Sequence, residues 1–255
     1  MGDIPEENIH DKIKQIFGEI PDFSILEEQI DLDLQLEYFE CSRKVKEGLD
    51  PVRTIKKKDD IFNLSLGEEH RKTRFAELAS MDEVEVYRTI EKYVQSGTVE
   101  LRSWAILALQ ESRMLLESKL LGENQVFIST GLGGKEGRLR YFIVLINEND
   151  QSFNETQQKV IRNEMEIIMG QQEGEIEKLS FEARFVTVVA LIPINVTIKE
   201  ILKKTIKECN QFGNFLRENF IITNVKELNI SEIEEFINNR NSLNNDIADQ
   251  DSIVN

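Results

Sequence analysis

The chain has 255 residues, 40% of them hydrophobic and 31% charged, which is typical of a globular protein rather than a disordered one. Its formal net charge of −16 opposes sustained contact with phosphate backbones or anionic lipid, so we expect nucleic acid not to be a main partner. The apolar runs, such as residues 185–194, are strand-sized, and we expect no membrane association. Cys41 and Cys209 lie far apart and predict no disulfide framework. Because residues 1–6 also lack the pattern of a signal peptide, the expected location is the cytoplasm.

Helix starts are marked in this sequence by a Ser or Thr followed three residues later by Glu, a capping box that satisfies two backbone donors. Such pairs precede apolar helical patterns at Ser24/Glu27, Ser65/Glu68, Ser80/Glu83, Ser152/Glu155, Thr197/Glu200 and Ser231/Glu234. In the first half of the chain, helices are predicted over residues 6–17, 25–47, 68–79, 82–95 and 99–121. The short connections between the last three predict antiparallel neighbours in an all-helical N-terminal domain.

Residues 25–47 carry two conflicting patterns. Apolar residues alternate strictly with polar ones from Ile30 to Tyr38, which is a strand pattern. The acidic and amide residues between them suit a strand poorly, and the pair Ser24/Glu27 favours a helix. We predict a helix, and whether the segment is one continuous helix stays open.

The last two predicted helices form a hairpin whose second member is rich in small residues. Residues 82–90 (Asp-Glu-Val-Glu-Val-Tyr-Arg-Thr-Ile) would be the outer helix and residues 100–109 (Glu-Leu-Arg-Ser-Trp-Ala-Ile-Leu-Ala-Leu) the inner one, where alanines permit close packing. Over residues 82–121 this pattern resembles a HEAT-type (armadillo-like) helical hairpin, with an ordinary helical bundle as the alternative. The resemblance implies a protein partner or self-association, with Arg102 and Trp104 as candidate contact residues. A single Trp on a buried helical face is otherwise a core residue.

After Gly122 the apolar period changes from three or four residues to two. Strands are predicted over residues 126–130, 138–147, 181–192 and 219–225, and helices over 153–170, 198–209 and 232–239. This order, β-β-α-β-α-β-α, predicts a small mixed sheet with right-handed crossovers. The fold class is therefore α+β or α/β, with a helical domain over 1–122, an α/β domain over 123–240 and a disordered acidic tail over 241–255.

Two of these elements have faces that follow from the spacing of their apolar residues. The strand over 138–147 has one face of Leu139, Tyr141, Ile143 and Leu145 and another of Phe142, Val144 and Ile146, which predicts a strand covered on both sides. The helix over 198–209 has an apolar stripe of Ile198, Ile201, Leu202, Thr205, Ile206 and Cys209. Cys209 is therefore expected to be a core residue rather than a reactive thiol.

Residues 129–140 include a Gly-rich turn. Its backbone amides, with cations nearby, predict an anion site at Gly133, Gly134, Lys135, Arg138 and Arg140. The turn matches neither a P-loop nor a dinucleotide-binding motif, because Glu136 stands where each motif requires a different residue. The alternative interpretation is that the glycines only supply positive φ in a hairpin.

Residues suited to catalysis or metal binding are scarce. The chain has only two histidines, His10 and His70, and neither lies in a zinc-type spacing. No nucleophile-elbow motif occurs. We therefore expect no catalytic residue, no metal and no cofactor, and we interpret the chain as a non-enzymatic protein-interaction or scaffold protein. The alternative is a regulatory module that binds a small anionic ligand or nucleotide through residues 129–140.

Overall fold

The structure, a computed structural model, describes residues 23–122 and 126–239. The helix predicted over residues 6–17, His10 and the tail predicted over residues 241–255 lie outside the described residues. The described part contains both helices and an antiparallel sheet, which confirms the mixed α+β class.

The α-helices fall into two groups along the chain. They are α1 (Leu32–Lys46), α2 (Pro51–Lys56), α3 (Glu68–Ala79), α4 (Val84–Gln95) and α5 (Arg102–Leu121), then α6 (Glu155–Gln171), α7 (Ile198–Asn210) and α8 (residues 230–239). The strands are β1 (Phe23–Ile25), β2 (Val126–Ile128), β3 (Gly134–Lys135), β4 (Arg138–Asn147), β5 (Glu175–Glu182), β6 (Phe185–Pro193) and β7 (Leu216–Thr223). Within the described ranges, no helix is both long enough and apolar enough to cross a membrane.

Helix α5 lies at the centre of the helical part, where it contacts α1, α3 and α4. The four helices share one hydrophobic cluster that includes Tyr38, Phe75, Tyr93 and Trp104. In a helical repeat each hairpin contacts only its sequence neighbours, whereas here α1 packs against both α3 and α5. The prediction of a HEAT-type hairpin over residues 82–121 is therefore wrong, because α4 and α5 are members of a bundle around one core.

Residues 23–47 form a strand and a helix, which answers whether the helix predicted over residues 25–47 is continuous. Strand β1 pairs in parallel with β2, so Ser24 lies in a strand rather than at a helix start. Helix α1 begins later, because the Asp31 side chain accepts hydrogen bonds from the backbone of Asp33 and Leu34. The alternating pattern therefore belongs to a helix, in which Tyr38 is buried while Leu36 is 62% exposed.

Strands β3 to β7 form an antiparallel sheet in which β5, β6, β4 and β7 are neighbours in that order. The chain order β4-α6-β5-β6-α7-β7 makes this a split β-α-β, or ferredoxin-like, arrangement. The predicted mixed sheet is thus wrong. Helix α6 joins β4 to β5, and the antiparallel strand β6 lies between them. Helix α7 joins β6 to β7, and the antiparallel strand β4 lies between them.

The single strand predicted over residues 181–192 is a hairpin of β5 and β6. Its turn contains Ala183, which has a φ of 50°. Because alanine and the following Arg184 are not typical turn residues, the sequence carries no local signal for this turn. The strand predicted at residues 126–130 also differs, since β2 pairs with β1 and not with β4.

The sheet is covered on both faces. Helices α6 and α7 cover one face, where they pack with the odd-numbered side of β4. The opposite side of β4 packs against Leu132 and α8. Both face assignments for this strand are confirmed, and all the residues of the predicted α7 stripe are buried.

Candidate functional site

The Gly-rich segment is packed between two other stretches of backbone. A Cβ atom on Gly133 would lie 2.6 Å from the carbonyl oxygen of Glu28, and one on Gly131 would lie 1.9 Å from that of Val225. Residues 130–134 are buried. The glycines are therefore needed because distant segments approach the chain closely here, which leaves their amides little access to a ligand.

The hairpin that follows this segment is shorter than predicted. Strands β3 and β4 are joined by Glu136 and Gly137, whose φ angles are 51° and 76°. Two successive positive φ values are typical of the type I′ turn, which matches the twist of the strands beside it. Positive φ is thus required at Gly137, whereas Gly131 and Gly134 have another role.

Arg140, one of the predicted anion-binding residues, is already paired. Its Nε and Nη2 atoms donate to the two carboxylate oxygens of Glu177 at 2.5 and 3.0 Å, and its Nη1 atom donates to the carbonyl of Leu132 at 2.7 Å. The hydrogen bonds from Arg140 hold the pKa of Glu177 below its usual value. This guanidinium therefore ties β4 to β5 and to the Gly-rich segment.

The other two predicted cations have different surroundings. Arg138 pairs with Glu136 at 3.1 Å and with Glu175 at 3.0 Å. Lys135 is exposed and lines an open cleft of about 580 Å³, whose walls also include Glu27, Glu28 and Arg140. An anion entering this cleft would meet carboxylates as well as cations. Anion binding at these residues stays a prediction.

The two candidate protein-contact residues have different surroundings. Trp104 is 2% exposed, its ring packs against Tyr38, and its indole N–H donates to the carbonyl of Lys72. Arg102 is partly exposed and donates to the carbonyl of Val94 and to Glu28. Trp104 thus belongs to the helical core, and Arg102 links α5 to the segment after β1.

The remaining residues considered for chemistry do not form a site. His70 Nε2 lies 3.7 Å from Asp60 Oδ2, and the described residues contain no group of three or more His, Cys, Asp or Glu that could hold a metal ion. Cys209 is buried as predicted, and burial raises the pKa of its thiol to about 12. Cys41 is half-buried, and burial raises the pKa of its thiol too.

A second cleft, of about 550 Å³, lies between α1, α5 and β2. Its lining residues are Phe39, Ser42, Arg43, Lys46, Leu107, Glu111, Met114, Leu115, Ser118, Phe127 and Ser129. Most of the accessible wall is apolar, and its polar groups lie on both helices and at Ser129. We call this feature the α1–α5 cleft.

Glu111 is the central polar group of the α1–α5 cleft. Its Oε2 accepts a hydrogen bond of 2.5 Å from the Tyr38 hydroxyl, and its Oε1 accepts one of 2.7 Å from the Ser42 hydroxyl. Lys46 Nζ lies 2.7 Å from the same Oε1. Burial and then the negative charge of Glu111 raise the pKa of Tyr38 well above its usual value, so the phenol stays a hydrogen-bond donor.

The chemistry open to this arrangement is binding rather than proton transfer. Both carboxylate oxygens of Glu111 are occupied by donors, and its side chain is 14% exposed. The Ser42 hydroxyl points its proton at that carboxylate, and the residue itself is buried. The network therefore holds α1 against α5 and gives the cleft one rigid polar wall.

The sequence carries a local signal for Glu111, although not for the cleft that this residue lines. Along α5, Glu111 falls four residues after Leu107 and three before Met114, which places an acid on an otherwise apolar helical face. An ionisable residue at such a position needs partners when the face is buried. On α1 those partners are Tyr38 and Ser42, four residues apart.

Comparison with known proteins gives little at the level of sequence. No model of a known protein family matches this chain. No curated protein matches it either.

Two solved structures are similar in part. One, described as a "putative transposase" from Deinococcus radiodurans R1, has 15% identity and a TM-score of 0.36, with 42% of this chain and 93% of that chain covered. The other is a REP-associated tyrosine transposase bound to a REP hairpin, with 12% identity and a TM-score of 0.31. In that case 36% of this chain and 59% of that chain are covered. Because both TM-scores are below 0.5, neither similarity assigns an activity to this chain.

These comparisons correct several of our expectations. The similar structures are transposases and not helical repeats, which again contradicts the HEAT-type resemblance of residues 82–121. They also contradict the functional interpretation, both as a non-enzymatic protein-interaction or scaffold protein and as a regulatory module, whereas anion binding at the Gly-rich residues is not tested by them. The expectation that nucleic acid is not a main partner is withdrawn as well, because one of the similar proteins is bound to a REP hairpin.

Proposed function

We propose that this chain binds a small, largely apolar molecule in the α1–α5 cleft. The observation that carries the proposal is the combination of an apolar cavity of about 550 Å³ with a single, fully hydrogen-bonded polar network in its wall. Ligand sites in proteins are typically cavities of roughly 300–1,000 Å³ with mostly apolar walls and a few fixed polar groups. The cleft has this size and composition.

The walls of the cleft support the proposal because the helical core holds their polar side chains in place. Tyr38 is fully buried and packs edge-to-face on Trp104, with ring centroids 5.2 Å apart. The Tyr38 hydroxyl also donates a hydrogen bond to Glu111, so the polar wall is attached to the helical core. A wall that does not reorganise on binding avoids the entropy cost of ordering side chains.

The position of the cleft between two packed regions gives further support. Phe127 of β2 packs against the helical cluster, whereas the next residue, Ile128, packs against the core of the sheet. Strand β2 thus closes one side of the cleft and also joins the two hydrophobic clusters. Ligand sites occur preferentially at such junctions.

Binding can be measured with the neutral fluorophore N-phenyl-1-naphthylamine, with energy transfer from Trp104, the only tryptophan, as the readout. We expect saturable binding and quenching of Trp104 emission, because Trp104 contacts the Tyr38 ring that supports the cleft. The Ser118→Phe variant should bind the probe about tenfold more weakly or worse, since its ring would occupy part of the cleft; tenfold corresponds to about 1.4 kcal/mol.

The matched control is Ser152→Phe, which adds the same ring at an exposed position in the loop before α6. It should bind the probe as the unchanged protein does. Absence of saturable binding in the unchanged protein, or equal affinities of the two variants, would contradict a ligand site in the α1–α5 cleft. Melting temperatures of both variants show whether Ser118→Phe is still folded.

We also propose that the chain consists of a helical unit up to Gly122 and an α/β unit over residues 123–240, followed by the tail over 241–255. Separate hydrophobic clusters in the two described parts support this division. A cytoplasmic location is proposed on the basis of the two thiols, since Cys41 and Cys209 are both free and lie in different clusters. Alkylation of the protein in intact cells, read by mass, tests whether both thiols are reduced there.

A further inference from the structure

We infer that the ligand of the α1–α5 cleft is an amphipathic anion whose carboxylate or phosphate group pairs with Arg43 while its apolar part fills the cleft. This inference rests on the proposed function and adds the chemical class of the ligand to it. It follows from the hydrogen bonds and charges of Glu111, Lys46 and Arg43.

The acid in the cleft is a poor partner for a cationic ligand, because its charge is already paired with Lys46. Glu111 Oε1 accepts a hydrogen bond from Ser42 and forms an ion pair with Lys46, and Glu111 Oε2 accepts a hydrogen bond from Tyr38. A ligand ammonium group would have to compete with Lys46 for this carboxylate, and one that displaced Tyr38 would leave a buried hydroxyl without its partner. An unpaired buried polar group costs about 1–3 kcal/mol, so the polar wall disfavours cations.

The cations in the cleft are not balanced by that acid. The charges of Lys46 and Glu111 cancel at 2.7 Å, which leaves the positive charge of Arg43. Among residues 23–122 and 126–239, the Arg43 guanidinium has no hydrogen-bond or ion-pair partner. The cleft therefore presents one surplus positive charge beside its apolar wall.

Arg43 is suited to an anionic head group by its geometry as well as its charge. A guanidinium presents parallel N–H donors that match the two oxygens of a carboxylate or phosphate. Arg43 lies on α1 between Phe39 and Lys46, so a head group bound there continues directly into the apolar wall. The ligand class defined by these features has one anionic end and one apolar end.

Three compounds with the same ten-carbon chain separate these features: sodium decanoate, 1-decanol and decyltrimethylammonium bromide. Each would be titrated below its micelle concentration against bound N-phenyl-1-naphthylamine. We expect decanoate to displace the probe roughly fivefold more effectively than decanol, the factor that a partly exposed ion pair provides at most. Decyltrimethylammonium should be the weakest, and the advantage of decanoate should fall with added salt.

The Arg43→Gln variant should bind decanoate no better than decanol, with decanol binding unchanged. Arg53→Gln is the matched control, because it removes the same charge from an exposed position on the neighbouring helix α2. Decanol binding as tightly as decanoate, or an equal loss in the two variants, would overturn the anion inference and leave the ligand site standing. Failure of all three compounds and of the probe would overturn the proposed function itself.

Discussion

Gly133 and Gly137 both have positive φ, but only Gly133 lies against another stretch of backbone. Its φ is 68°, and a Cβ atom there would meet the carbonyl oxygens of Leu26, Glu27 and Glu28 within 2.9 Å. Gly137 has a φ of 76° with open space around the same position. The two residues therefore separate the cost of backbone conformation from the cost of a close approach.

We predict that Gly133→Ala lowers the free energy of unfolding by more than Gly137→Ala does. The left-handed conformation alone costs about 1–2 kcal/mol for a residue with a Cβ atom, and this is the whole cost expected at Gly137. At Gly133 the backbone of residues 26–28 must also move, so we expect at least about 1 kcal/mol more. Urea unfolding followed by circular dichroism measures both variants. Equal losses would mean that the segment after β1 yields freely to the extra methyl group.

The helix ends illustrate how far local signals reach. The sequence places a capping pair at Ser152/Glu155, but the structure has a capping box at Asn154 and Gln157, two residues later. The predicted pair at Thr197/Glu200 lies at the correct helix end, yet Thr197 makes no side-chain capping bond. Ser, Thr and Asn are similar capping residues, so the choice between neighbouring candidates depends on where tertiary packing begins the helix.

We predict that Asn154→Ala costs about 0.5–2 kcal/mol of unfolding free energy, the usual effect of losing a cap. The matched change Thr197→Ala, at the first residue before α7, should cost a few tenths of a kcal/mol at most, because no capping bond is lost. Both helices cover the same face of the sheet, so the free energy of unfolding of the two variants can be compared by the same measurement. A larger loss for Thr197→Ala than for Asn154→Ala would contradict the assignment of the caps.

At the scale of the whole molecule, the main question is whether the two clusters unfold together. Trp104 lies in the helical cluster and Cys209 in the cluster between the sheet and its helices, and both are almost fully buried. The connections between them include the β1–β2 pair and the hydrogen bond of 3.2 Å from Gln35 to the Thr130 carbonyl. These contacts between the clusters are few compared with the contacts inside each cluster.

We predict that the two clusters unfold at different urea concentrations, because each has its own apolar core and the junction is small. In a Cys41→Ser background, Trp104 emission reports the helical unit and the reactivity of Cys209 with a thiol reagent reports the α/β unit. Coincident transitions of the two probes would contradict the proposed division at Gly122. The unlabelled protein, followed by circular dichroism, serves as the reference for both probes.

Several features follow from the sequence because they depend on local spacing. The alternation of β4 assigns its residues to two cores, and the three-to-four-residue period of α7 identifies a buried stripe that ends at Cys209. Burial of a face is enforced by the hydrophobic effect at each residue, so a periodic pattern is sufficient to predict it.

The cleft and the role of the Gly-rich segment were decided by tertiary structure alone. Residues 26–28 and Val225 press on the glycines from distant parts of the chain, and Glu111 meets Tyr38 and Ser42 across some seventy positions. No local pattern encodes such contacts, because they depend on which elements become neighbours. For this reason the sequence itself determined most of the helices and the buried faces of β4 and α7, while packing between remote segments decided strand β1, the sheet order and the candidate site.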